Sequence, residues 1–155
     1  MTNKLLDVTK KKLYNQDFHL WLENTVKQIK RGELNLVDWE NLLEELESLG
    51  KSNQRELKSR LTVLLEHLLK LVYWEEEREN NVRGWKGTII EQRKQIEALL
   101  DDSPSLKLLL EESFSTCYAN ARKITIVKTG LQSNRLPEES PFNLANTLEE
   151  SYLLD

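Results

Sequence analysis

The sequence predicts an all-α protein: a single-domain helical bundle of about five main helices, closed by an irregular proline-containing C-terminal tail. Three observations carry this. Apolar residues recur at steps of three and four through most of the chain, the period of an amphipathic helix. The three prolines and five glycines mostly fall between these periodic runs, as punctuation. The leucine-rich run from Leu57 to Val72 spreads its apolar residues over a wide arc, the mark of a central helix packed on more than one side.

Residues 1–12 are expected to form a flexible N-terminal segment, with one domain over residues 13–155 and the tail 131–155 packed on it. Lys10, Lys11 and Lys12 make a short basic run expected in solvent. The first helix runs from Asn15 or Asp17 to Arg31. Phe18, Trp21, Leu22, Val26 and Ile29 build its apolar stripe, Asp17 suits the N-cap and Gly32 the position just past the end. His19 and Glu23, one turn apart, are expected as an exposed pair.

Asp38 can cap the second helix, whose apolar face is Trp39, Leu42, Leu43, Leu46 and Leu49. Glu44 points away from that face, and Glu45 and Glu47 border it. Gly50 suits a left-handed terminus there, the alternative being a kink within one continuous helix. The next helix, Asn53 to Trp74, is the central one, with Trp21, Trp39, Trp85 and the Leu106–Ile124 face expected round it. Arg60 and His67 lie two turns apart along one edge of its arc. The charged run from Glu75 to Gly84 is expected to be a helix end and a loop.

A helix from Trp85 to Leu100 follows, with Trp85, Ile89, Ile96, Leu99 and Leu100 on one side. Gln92 falls inside that arc and Arg93 near its edge; a buried glutamine must find partners or cost about 1–3 kcal/mol. Ser103 and Pro104 mark the start of the next helix, as N-cap and first-turn residue. Its face carries Leu106, Leu109, Leu110, Ser113, Cys117, Ala121 and Ile124, and it ends near Thr129 and Gly130. In the tail, Pro137 and Pro141 enforce a loop. Asn143 can cap a short final helix through Leu148, while Leu136, Phe142, Leu144, Leu148 and Tyr152 pin the segment back.

The bounds on function are coarse. A net charge of −4 and a pI near 5.4 disfavour a nucleic-acid partner. Cys117 is the one cysteine, so no intramolecular disulfide can form. There is no signal-like apolar start and no run of about 18 apolar residues, so a soluble cytoplasmic protein without a membrane partner is expected. Phosphate-binding glycine loops, paired-cysteine zinc motifs and a nucleophile elbow do not occur in the sequence. No cofactor and no metal site is expected.

The runs from Leu13 to Leu22, Asn41 to Gly50, Arg55 to Leu57, Leu64 to Lys70, Trp85 to Arg93, Ser103 to Leu106 and Pro137 to Phe142 resemble a large family of short helical proteins. It is the family labelled domain of unknown function twenty-nine, numerous in cyanobacteria, and the resemblance spans about Leu13 to Leu153. It implies a small, mostly helical protein without an assigned activity. The family pattern often has a cysteine before the second tail proline, where this chain has Ser140, so no zinc or redox role for that thiol carries over. The family's usual alanine before Thr88 is Gly87 here.

Two function classes fit. The first is a non-enzymatic protein-interaction or regulatory module, whose partner is a second copy or another protein. The second is a small hydrolase-type enzyme built on a polar seam between helices. There, His67 would be general base or ligand, Glu47 its orienter and Arg93 an anion holder, with Arg60, Trp85 and Gln92 lining the site. A divalent-metal version would draw on Glu44 and Glu47 with Glu75, Glu76 and Glu79. The bland reading of the same residues is an inter-helix register seam.

Overall fold

The computed structural model describes residues 12–155, so most of the expected N-terminal segment 1–12 lies outside the described residues; residues 12–16 are helical. Five helices follow: α1 (Phe18–Lys30), α2 (Trp39–Tyr73), α3 (Glu75–Asp102), α4 (Lys107–Thr129) and the short α5 (Leu144–Leu148). Single 3-10 turns occupy Leu34–Leu36, Pro104–Leu106 and Ser133–Arg135, and no strand occurs among the described residues. The chain groups into two compact units that meet at Lys51 and Ser52, within α2.

In the first unit, the Asp17 carboxylate accepts from Leu20 N at 3.0 Å, capping α1 as its sequence predicts. Gly32 takes a left-handed φ of 73° just past the helix. Asp38 caps α2, accepting from Asn41 N at 3.3 Å and from the Asn41 amide at 2.7 Å. Tyr14, Phe18 and Trp21 form an aromatic cluster, with Tyr14 edge-on to Trp21 at 4.8 Å. The Tyr14 hydroxyl donates to Glu45, and that bond to a carboxylate pushes the phenol up to about 12.

Two expectations about helix limits are corrected. α2 does not stop at Gly50 but runs through it, in keeping with the continuous-helix alternative. Glycine in a helix costs only about 0.5–1 kcal/mol against alanine, less than the helix-forming flanks supply. The charged run after Trp74 is not a loop but the first turns of α3. Glu75, Glu76 and Glu77 place three acids against the positive end of the helix dipole. The break between α2 and α3 is Trp74 alone (φ −92°, ψ 69°). Arg78 seals it, donating at 2.8 Å to the carbonyls of Leu71 and Val72.

The second unit holds the core. Leu57, Leu61, Leu64, Leu65, Leu68 and Leu69 of α2 are fully buried, each stabilising by roughly 1.5–3 kcal/mol. Ile89 and Ile96 of α3, Leu110, Cys117, Tyr118 and Ala121 of α4, and Leu136 and Phe142 of the tail complete the cluster. Trp85 is buried and stacks on Trp74 at 5.6 Å, whereas Trp39 is 44% exposed and is not a core residue. The Trp39 indole donates to the Leu34 carbonyl at 2.9 Å, a local bond that holds it outside. Ser103 occupies the boundary position but makes no side-chain cap bond. Gly130 ends α4 in the left-handed conformation, φ 70°.

The tail follows a defined course. The Asn143 side chain accepts from Asn146 N at 2.7 Å and caps α5 as expected. Leu136 and Phe142 enter the core, and Leu144, Leu148 and Tyr152 pack against it. Arginines hold the rest: Arg122 donates to the carbonyls of Ser133 and Leu136, and Arg135 to that of Tyr73. The Leu136 bond is part-buried, and the Ser133 and Tyr73 bonds are exposed.

Candidate functional site

The residues singled out from the sequence divide between the two units. Glu47 belongs to the first, where it is exposed on α2. Arg60, His67, Trp85, Gln92 and Arg93 all belong to the second. There, Arg60 Nη1 donates to the Gln92 side-chain oxygen at 3.3 Å, which supplies the partner that a glutamine on this stripe requires. Arg60 is also paired with Glu56, one turn back, at 2.9 Å.

His67 is half-buried, with Nδ1 2.8 Å from the Val63 carbonyl. A ring nitrogen facing a carbonyl must carry the proton, so the neutral ring keeps its lone pair on Nε2. Burial pushes the His67 pKa below its ordinary value, against an opposing pull from that backbone bond. Arg93 is buried and spans from α3 to the tail. Its Nε donates to the Thr147 carbonyl at 2.9 Å, and Nη1 and Nη2 donate to those of Glu150 and Tyr152 at 3.0 Å each. It forms part of the wall of an open cleft of about 350 Å³, with Ile90, Lys94, Leu100 and Leu148.

One polar cluster escaped the sequence reading. Glu66 is 2% exposed and accepts from Lys70 at 2.9 Å and from Lys128 of α4 at 2.7 Å. Burial opposes its ionisation, but hydrogen bonds from Lys128 and Lys70 outweigh that, and its pKa is lowered. The available signal was Leu69, which widens the apolar arc until a Glu–Lys pair at i,i+4 falls under cover. Among the described residues, no three or more His, Cys, Asp or Glu side chains are gathered as a metal-binding group. Cys117 is buried, which pushes its thiol up and keeps it unreactive.

The largest departure from a closed structure is apolar. Of the fourteen large hydrophobic residues left exposed among those described, ten lie in the first unit, which holds only two, Trp21 and Val37, of the eighteen buried hydrophobic residues of any size. On α2, Leu43, Leu46 and Leu49 are 55–60% exposed at steps of three, with Trp39 beside them. On α1, Phe18, Leu22, Val26 and Ile29 are 38–45% exposed along one stripe, while Trp21 and Thr25 on the adjoining arc are buried. Singly exposed leucines are ordinary, but two helices each offering a continuous stripe are not.

The family model for Domain of unknown function DUF29 matches residues 13–153. The chain belongs to this family. No curated protein and no solved structure matches it. Family membership therefore brings no activity with it, and the reading of function for this DUF29 chain comes from its own geometry. No helix among the described residues is long and apolar enough to cross a membrane.

Proposed function

We propose that this chain is a non-enzymatic protein-interaction module that works through the apolar face of its first unit. The observation that carries this reading is the solvent-facing stripe Leu43, Leu46 and Leu49 on α2. Leaving such a stripe in water forgoes roughly 25 cal/mol per Å² of apolar area, which a partner would recover. A reducing, cytoplasmic setting suits the buried free thiol of Cys117.

The hydrolase alternative around His67 has weaker support. The anion holder it needs is engaged structurally, the Arg93 guanidinium donating to three tail carbonyls, and Glu47, its proposed orienter, is an exposed residue of the first unit, while His67 belongs to the second. A photo-crosslinking side chain at position 46, with position 97 on α3 as exposed control, tests the interaction reading in cells. Polypeptide adducts are expected at 46 and not at 97. Equal, background-level adducts at both positions would remove the basis for an interaction role.

A further inference from the structure

We propose that the cleft between α3 and the tail binds a small monocarboxylate with an apolar body, its acid group held by Lys94 beside the buried Arg93. This site lies wholly within the second unit and is independent of the interaction face.

The argument begins with an unmatched charge. Four charged side chains are buried among the described residues: Asp38, Glu66, Lys70 and Arg93. Glu66 and Lys70 pair with each other, and Asp38 caps the positive end of the α2 dipole. Arg93 has no carboxylate partner among the described residues. Its three bonds run to neutral carbonyls, and Glu149 is exposed and pulls on it only from beyond ion-pair distance. A buried charge left in that state is costly, and an incoming anion removes the cost.

The cleft beside this guanidinium has the shape and lining for such an anion. Its volume of about 350 Å³ admits a small molecule but no helix. Ile90, Leu100 and Leu148 give it an apolar side, and Ile90 is 42% exposed there. Its lip is ionic: Lys94 bridges Glu97 at 3.5 Å and Glu150 at 3.1 Å, and Asp101 stands two turns further along α3.

A bare count of three acids on that lip would favour a cation. Exposure reverses the choice. Glu97, Asp101 and Glu150 are all exposed, so water screens them. The same two charges interact about four times more strongly at an effective dielectric near 20 than in bulk water. The buried guanidinium therefore governs the sign of the ligand. Lys94 releases its two carboxylates at little cost, since exposed ion pairs are weak, and turns to the ligand. Arg93, fixed by its carbonyls, contributes charge rather than a bond. A dianion would meet the three acids twice over and gain little from the apolar side, which selects a monocarboxylate over a phosphate.

Calorimetric titration of the full chain with octanoate, octylamine and octanol is the test, because the three share a tail and differ in the head. Octanoate is expected to bind one site at least about tenfold tighter than either of the others. Amide shifts in the ¹⁵N-labelled chain should place it at residues 90–101 and 148–150, not at 39–49. Lys94→Gln is expected to weaken octanoate about tenfold, and Glu150→Gln to tighten it about threefold by freeing Lys94. Ile90→Glu should abolish binding. All three residues are exposed, so the helical circular dichroism should stay intact. Octylamine or octanol binding as tightly as octanoate overturns the proposal. So do shifts confined to 39–49, no binding at millimolar octanoate, or an affinity that Lys94→Gln leaves unchanged.

Discussion

Arg93 Nε donates to the Thr147 carbonyl at 2.9 Å and so joins the middle of α3 to the last turn of the chain's final helix. Its other two bonds, to Glu150 and Tyr152, fix the residues beyond. The same stretch includes Leu153, which holds a left-handed φ of 64°, uncommon for a non-glycine residue, and Lys86 grips the next carbonyl, of Leu154, at 2.8 Å. Arg93 is thus a latch for the C-terminal segment. Arg93→Met leaves three carbonyls without a cation and is expected to cost about 3 kcal/mol, measured by urea unfolding. Arg93→Lys, which cannot fork to three acceptors, should recover only part. Hydrogen exchange should rise across residues 144–154 and not across α2. Uniform exchange in all helices would show that Arg93 supports the core generally rather than the tail.

His67 gives a pH dependence with a defined sign. Burial lowers its pKa when folded, so between that lowered value and the ordinary one near 6.5 the unfolded chain binds a proton that the folded chain refuses. Stability from this residue is therefore complete above about pH 6.5 and is lost as pH falls through that window. Glu66 acts lower: its pKa is depressed below about 4.5, so its contribution is lost as the solution is acidified past that point. Chemical unfolding from pH 7.5 to 5 should show a falling midpoint in the parent chain and a flatter profile in His67→Gln. Identical slopes in the two proteins would mean that His67 titrates as freely folded as unfolded.

The residues with local consequences were legible in the sequence. Asp17, Asp38 and Asn143 cap their helices, and Gly130 ends α4, because each choice is decided within one turn. The wide leucine arc of α2 likewise announced the core. Where the reading failed, either composition was weighed over helix propensity or the deciding contact lay far along the chain. Charge from Glu75 to Arg83 looks like a loop by composition, yet glutamate and arginine are good helix formers, and the acids sit at the favourable helix end. For the candidate site, the pattern placed Arg93 at the edge of a stripe. Its acceptors lie 54 to 59 residues further on, and no periodicity encodes them. The apolar periodicity of α1 and of Trp39–Leu49 was visible too, but period says only that a face wants covering, not that this chain leaves it open.

Gly50 offers the sharpest check on the continuity of α2. It lies in the helix interior one residue before the end of the first unit, and a Cβ built on it meets nothing within 4 Å. Gly87, in α3, is equally open. Alanine at either site should therefore stabilise by about 0.5–1 kcal/mol, chiefly by restricting the unfolded chain. The pair together should raise Tm by several degrees, roughly 4 °C per kcal/mol for a chain of this size. Gly130→Ala is the contrast: its φ of 70° disfavours a side chain, so that change should lower Tm. If Gly50→Ala lowers Tm while Gly87→Ala raises it, then α2 leaves helical geometry at Gly50 in solution, and the two units are joined by a glycine hinge rather than by an unbroken helix.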